Sequence, residues 1–481
     1  VSIGAFSTAF QMLRALGERA ISARELLELH LARIERIDGA LNSIVVRDFE
    51  RATRDAATAD EMRAGGVAKP LLGLPMTVKE SIDMQGLPST AGVGFRTSHR
   101  ASRDALTVRR LRAAGAVIVG KTNVCTWLAD YIGDNPLFGR TNNPWNLEHT
   151  SGGSTAGSAA LAAGLIPLEL GSDLAGSIRV PAAFCGLWGH KPSCGLVPNS
   201  GHFPGAELPN PGTVLAAQGP HGRSAADVAM CLQVISGPDV DMDAAWEVKP
   251  RAARHQVLAD FRVAFIEPPE WIALDPEIRF ALENCRKELV GRCKSVESVD
   301  LSEVADLKKY FHQFRSMMNV LISIGWPAEK RHQAIATKLA SRDELAAADA
   351  RGLAASGSEY LMWLGEREAY RMKWREFFNR HDVLITPTTL LPAFAHPKVP
   401  ASERRMQIDG QDCGFDDLSF YPALASLAGL PATAFPVGLN SVGLPLGLQA
   451  IGPFLEDYTP LKFADLLERE FGGFRPPPGY E

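Results

Sequence analysis

The chain has 481 residues, 46% apolar and 22% charged, with a formal net charge of −5. Such globular values support a sizeable core, and the mixed charges give no basis for a nucleic-acid or acidic-membrane partner. Seven cysteines without paired spacing argue against a disulfide framework or a structural zinc site, and for a reducing cytoplasm.

No apolar run is long enough to cross a bilayer, and no charged-then-apolar leader stands at Val1. A cytoplasmic protein without membrane contact is therefore expected. In chain order, Ser22-Ala-Arg-Glu25 is a capping box, and Leu26, Leu27, Leu31, Ile34 and Ile37 follow near helical spacing. A polar helix is expected over about 48–62. Leu71 to Lys79 reads as an apolar strand ending on a lysine. A helix near 105–114 leads into the β-branched run Ala116–Val119. Ala159–Leu170 reads as a short helix and then a buried strand, whereas Trp145–Thr150 shows no strand pattern.

Ser224-Ala-Ala-Asp227 caps a helix over 228–235, and 237–254 reads as loop. Val263–Ile266 and Val383–Thr386 read as strands, with a mostly helical, charge-rich block over 275–380 between them. Pro387–Asp417 is expected to be irregular, and 418–471 to alternate helix and strand. Helix-then-strand alternation predicts an α/β fold with a largely parallel sheet. With no internal repeat or low-complexity linker, one interwoven domain is expected over 1–481. An N-terminal helical section (about 1–65) and a helical insertion or lid (about 275–380) would pack on it.

Gly115-Ala-Val-Ile-Val-Gly120-Lys121-Thr122 matches the phosphate-loop pattern. Its four middle residues are themselves the predicted strand, and a helix precedes them, so their N–H groups belong to a sheet ladder rather than to a phosphate. Two small-residue clusters carry more. The first is Ser151-Gly152-Gly153-Ser154-Thr155-Ala156-Gly157-Ser158. The second is Gly171-Ser172-Asp173-Leu174-Ala175-Gly176-Ser177-Ile178-Arg179. Ser154 lacks the leading strand of a nucleophile elbow. In the second cluster several backbone amides can converge on a developing oxyanion. A nucleophilic serine needs a base: His149, His190 and a desolvated, neutral Lys79 are the candidates, and Lys79 paired with Glu80 on the surface is the plain alternative.

Gly73-Leu-Pro-Met-Thr-Val-Lys79-Glu80, Gly152-Gly153-Ser154 and the run Gly171 to Gly186 resemble the amidase signature family. So do Gly120-Lys-Thr-Asn123, Asn135-Pro-Leu-Phe-Gly139, Asn143-Pro-Trp145, Gly189-His-Lys-Pro192, Leu427-Ala-Gly-Leu-Pro431 and Gly443-Leu-Pro-Leu-Gly-Leu-Gln449. The resemblance covers about 20–470. It implies a large twisted mixed β-sheet flanked by helices, and a Ser–cis-Ser–Lys triad. Ser177 is then the nucleophile, Ser154 the proton relay after a cis bond from Gly153, and Lys79 the neutral base. The N–H groups of Leu174, Ala175, Gly176 and Ser177 are the implied oxyanion hole, with Gly153, Thr155, Asp173 and Arg179 in support. Thr155 replaces a usual serine, Ala175 a usual glycine and Thr126 a frequent glutamate.

The resemblance further implies that Trp127, Leu128, Ala129, Asp130 and Tyr131 line the substrate cleft. With Phe138 and a Met317–Met318 patch, these residues suit an uncharged, partly aromatic substrate. The reading is a hydrolase of non-peptide amides that forms an acyl-enzyme and needs no metal or cofactor, as monomer or homodimer. Its alternatives are a urethanase (carbamate hydrolase), an aryl esterase, and the glutaminase subunit of an amidotransferase. The last would want an acidic residue where Ser419 stands.

Overall fold

A computed structural model of the protein describes residues 3–202, 211–341, 343–400 and 403–481. Val1 lies outside them, as do residues 401–402 within the stretch expected to be irregular. The strands are β1 (Ile44–Arg47), β2 (Pro75–Lys79), β3 (Val117–Thr122), β4 (Asn142–Asn143), β5 (Asn146–Thr150), β6 (Leu168–Asp173), β7 (Trp188–Lys191), β8 (Ala217–Gly222), β9 (Arg262–Ile266), β10 (Ser295–Val299), β11 (Val383–Pro387), β12 (Arg405–Ile408), β13 (Gln411–Gly414), β14 (Ala432–Leu439) and β15 (Pro445–Ile451). Among the described residues eleven form one mixed sheet in the order β1-β3-β2-β6-β8-β7-β14-β15-β11-β9-β10.

The helices are α1 (Ala9–Gly17), α2 (Ala23–Leu41), α3 (Phe49–Ala64), α4 (Leu106–Ala113), α5 (Ser158–Ala162), α6 (Arg179–Cys185), α7 (Ala225–Ile235), α8 (Pro276–Leu289), α9 (Leu307–Ile322), α10 (Ala328–Ala340), α11 (Glu344–Ala354), α12 (Gly357–Arg380), α13 (Phe420–Ala428) and α14 (Tyr458–Phe471). The Ser22–Glu25 box starts α2 with both reciprocal hydrogen bonds in place, and Ser224 caps α7. Every residue of β2, β3 and β6 is buried, which is why these strands read as apolar runs rather than as alternations. β2 runs parallel to both β3 and β6. The phosphate-loop look-alike is strand from Val117 through Thr122. A Cβ on its Gly120 would lie 2.2 Å from the Val46 carbonyl oxygen of β1, so that glycine serves strand approach.

Five expectations need correction. The main sheet is not largely parallel: six of its ten neighbouring strand pairs run antiparallel, because β7, β8, β14 and β15 pair by antiparallel ladders in its middle. Asn146–Thr150 is a strand, paired with β4 in a separate two-stranded ribbon that stops short of the serine turn. The helical block 275–380 contains β10, which extends the main sheet parallel to β9 through half-buried Val296 and Val299. The N-terminal section likewise contains β1, antiparallel to β3. The stretch 387–417 holds the hairpin β12–β13, turning at Asp409-Gly410 with positive φ at both residues.

Candidate active site

Lys79 ends β2. Ser172 and Asp173 end β6, its parallel neighbour, in a register that sets Thr77 opposite Glu169 and Val78 opposite Leu170. Adjacent parallel strands ending together open a crevice that side chains can fill. Ser154 enters from a loop pinned by a bridge between Val124 and Thr155, and its peptide bond from Gly153 is cis. A Cβ on Gly153 would stand 2.5 Å from the Asp130 carbonyl oxygen, so only glycine lets the two backbones pass.

Lys79 Nζ lies 2.8 Å from Ser154 Oγ, 3.0 Å from Ser172 Oγ and 3.3 Å from the Ser172 carbonyl oxygen. The lysine is 0% exposed. Burial pushes its pKa down to about 8, against weaker upward pulls from Cys125, Asp173 and Glu169. The surface pairing with Glu80 is therefore not realised. Glu80 instead accepts from the Thr90 and Ala91 amides and the Thr90 hydroxyl. Ser177 is 8% exposed and shares a cavity of about 270 Å³ with Ser154. Among the described residues Ser154 Oγ and Ser177 Oγ make no direct hydrogen bond, and the hydroxyl of Ser154 is held by Lys79 instead.

Asp173 organises the turn that carries Ser177. Its Oδ1 accepts from the Gly176 amide at 2.8 Å, and its Oδ2 accepts from the Ile178 and Arg179 amides at 3.1 and 3.3 Å. The Arg179 guanidinium donates to it twice, Nε to Oδ2 and Nη2 to Oδ1, each at 2.9 Å. Burial alone would raise the carboxyl's pKa. The charge and hydrogen bonds of Arg179 outweigh that and hold it well below the usual range. Arg179 also donates to the Pro422 carbonyl, Gln449 Oε1 and Ser426 Oγ, which fixes the turn to α13 and β15. The Gly176 amide is thus spent on Asp173, which corrects its expected place among the oxyanion donors. Ala175 keeps an ordinary negative φ, so its methyl brings no backbone strain there; the left-handed step falls on Gly176, φ +104°. Thr155 Oγ1 donates to the Ser172 carbonyl at 3.3 Å, and its hydroxyl serves where a serine was expected.

Trp127, Leu128, Ala129, Asp130 and Tyr131 all line the cavity. Trp127 and Leu128 both adopt positive φ, 57° and 60°, which turns this segment inward. Asp130 is ion-paired with Arg404 and so anchors the wall. The Tyr131 hydroxyl donates to the Ala175 carbonyl, on the serine turn itself. Phe138 is half-buried and outside the cavity, and of the methionine pair Met318 lines it while Met317 faces the core.

His190 is buried between Thr433 and Asp457, and neither it nor His149 reaches the cavity, so the histidine alternatives for the base fall away. His202 does line the cavity, and burial, its main influence, lowers its pKa to about 3 and keeps it neutral. Sequence reasoning missed it, along with Ser172, Arg315, Asn319, Lys338, Asp349 and Asp416. Only Ser172 stood in a cluster already singled out. Asp416 lies near the position where an acid was sought at Ser419, but Arg315 and Lys338 neutralise it at 2.9 and 3.3 Å. Among the described residues no cluster of His, Cys, Asp and Glu could hold a metal ion. No helix of the described residues is long and apolar enough to cross a membrane.

This site sits on the fold of the amidase signature enzymes. Residues 25–461 match the Amidase family, and the chain belongs to it. It is 31% identical to an indoleacetamide hydrolase of Bradyrhizobium diazoefficiens over 79% of this chain and 71% of that one. It is 40% identical to a glutamyl-tRNA(Gln) amidotransferase subunit of Chromohalobacter salexigens over 57% of this chain and 56% of that one. The matched region spans about half the length of the first such curated relatives. A solved inhibitor-bound structure, described as a vestigial protein complex revealing the evolutionary origins of an s-triazine catabolic enzyme, superposes with a TM-score of 0.82 at 27% identity. That match covers 98% of this chain and all of the other.

Proposed function

We propose that the protein hydrolyses the C–N bond of uncharged, partly aromatic non-peptide amides through an acyl-enzyme on Ser177. The observation that carries this is the buried contact of 2.8 Å between Lys79 Nζ and Ser154 Oγ, at the floor of the cavity that Ser177 also lines. Neutral Lys79 draws the Ser154 proton as Ser154 draws that of Ser177, and Ser177 Oγ attacks the carbonyl carbon. The amides of Leu174, Ala175 and Ser177 receive the developing oxyanion. As the C–N bond breaks, the proton returns through Ser154 to the leaving amine. Water then attacks the ester on Ser177, giving up a proton by the same path and freeing the acid.

The neutral substrate follows from the pairing of charge around the cavity. Asp130 is met by Arg404, Asp173 by Arg179, and Asp349 and Asp416 by Arg315 and Lys338. Trp127, Leu128, Met318, Ile322, Trp326 and Phe415 supply apolar and aromatic walls. The same pairing of Asp416 disfavours the glutaminase reading, which needs a free carboxylate for an ammonium group. A panel of anilides, aliphatic amides, aryl carbamates and aryl esters, assayed with wild type and Ser177→Ala, tests the proposal and ranks urethanase and esterase activity beside it. Turnover of aryl amides that vanishes in Ser177→Ala is the expected result. Turnover that survives in that variant overturns it.

A further inference from the structure

The end of the cavity formed by α9 and α11 is more specific than its paired charges require. Arg315 and Asn319 are one helical turn apart on α9, 5% and 4% exposed, and both line the cavity. They are locked to the same atom: Arg315 Nε and Asn319 Nδ2 each donate to Asp349 Oδ1 at 2.8 Å. Arg315 Nη2 is taken by Asp349 Oδ2 at 2.7 Å and Asp416 Oδ2 at 2.9 Å. Asn319 Nδ2 also donates to the Arg315 carbonyl at 2.9 Å, so two acceptors fix which end of its amide is nitrogen.

Two polar atoms remain. Among the described residues Arg315 Nη1 has no acceptor and Asn319 Oδ1 has no donor, and neither is among the side-chain atoms sealed without a partner. The wall thus offers the Nη1 amino group of Arg315 as a donor and the carbonyl of Asn319, one helical turn on, as an acceptor, in a cluster whose two cations and two carboxylates sum to zero charge.

We infer that Arg315 Nη1 and Asn319 Oδ1 form a specificity subsite for a neutral group presenting an acceptor and a donor side by side, as a primary carboxamide or ureido group does, on the part of the substrate away from the scissile bond. This rests on the hydrolase reading and narrows its substrate class to amides with a second, uncleaved amide-type group. The carbonyl of that group accepts from Arg315 and its N–H donates to Asn319. A carboxylate cannot satisfy Asn319 and meets a guanidinium already neutralised by two aspartates. A methyl group leaves both atoms unpaired, the situation in which hydrogen-bonding sites discriminate most strongly.

The test uses two series of anilides, substituted para on the acyl ring or para on the amine ring, with carboxamide, carboxylate or methyl. In wild type the carboxamide should exceed both other substituents at least ten-fold in kcat/KM in one series. In Asn319→Leu and in Arg315→Lys the carboxamide-to-methyl ratio should fall by at least ten-fold. A wild-type ratio near one in both series, or a ratio that both variants leave intact, overturns the subsite. Failure of wild type to cleave any of the six leaves the hydrolase reading to the wider panel of amides, carbamates and esters, whose complete failure ends it. The subsite is then judged by calorimetry on wild type with the same compounds: preferential binding of a carboxamide member supports it, and equal or absent binding refutes it. Wild type needs no mutation, so a variant that fails to fold still leaves the subsite open to refutation.

Discussion

Asp173 and Arg179, six residues apart, meet through two parallel hydrogen bonds of 2.9 Å with both side chains fully buried. The pair lies beneath the turn that presents Ser177, and its members take hydrogen bonds from that turn and give them to α13 and β15. A buried ion pair of this kind is costly to break from one side, because the survivor is left charged and dry.

Asp173→Asn should therefore destabilise the protein by about 3–5 kcal/mol, read as a lower denaturation midpoint in urea. The carboxyl's folded-state pKa lies below its unfolded value, so its contribution is present in full above about pH 4 and is lost as pH falls below that. Wild type should lose stability between about pH 4 and pH 2 more steeply than Asp173→Asn does. Parallel pH curves for the two proteins would remove Asp173 from this role.

Lys79, the proposed base, must be uncharged to act. Burial brings Lys79 down to about 8, so kcat/KM on a non-ionising amide should rise with pH, with a midpoint near 8, and level off above it. Lys79→Met should lose activity by about 10³-fold or more, and its residual rate should lack that midpoint. A wild-type profile flat from pH 6 to pH 9 would point to a different proton acceptor.

Ser154 and Ser177 make separable predictions. Ser177→Ala should abolish both turnover and labelling by a fluorophosphonate, because in the proposed mechanism the bond to the acyl group forms at that oxygen. Ser154→Ala should lower turnover by about 10²–10⁴-fold while retaining slow labelling, since only the proton path is cut. Mass spectrometry of the labelled chains gives the answer, and adduct on Ser154 rather than Ser177 would reverse the assignment.

Tyr131 holds the Ala175 carbonyl through its hydroxyl and packs its ring on Phe415 at 6.2 Å. Tyr131→Phe keeps the ring and removes the bond. We expect kcat to fall about ten-fold with KM changed less than three-fold, the pattern of a misplaced oxyanion turn rather than a lost substrate contact. A change confined to KM would instead make Tyr131 a substrate ligand.

The serine clusters of the proposed site were legible because their requirements are local, whereas the choice of Lys79 over His149 and His190 as base came from the family resemblance. A turn tight enough to offer several amides to one oxygen needs small residues in a row, and both serine clusters announced themselves that way. The strands β2, β3 and β6 were legible because burial on both faces makes them uninterrupted apolar runs. β8 was not: Ala-Gln-Gly-Pro-His-Gly has the composition of a turn, yet it pairs in the middle of the sheet, with Pro220 opposite Leu170. A Cβ on its Gly219 would stand 2.2 Å from the His190 carbonyl oxygen, so close packing against β7 set that composition. Arg315, Asn319 and Asp349 were also hidden. On a charged helix a residue facing a cavity and one facing water read alike, and only the fold brings α11 against α9.

The segment from Leu307 to Ala354 contributes Arg315, Met318, Asn319, Ile322, Trp326, Ala334, Lys338, Asp349 and Leu353 to the cavity, whereas Lys79, Ser154, Ser172 and Ser177 come from the first half of the chain. One wall of the cavity is therefore encoded far from the proposed proton chain, while Trp127 to Tyr131 of the other wall lie close to it in sequence. Substitutions between Leu307 and Ala354 reshape the former wall while leaving Lys79, Ser154 and Ser177 in place.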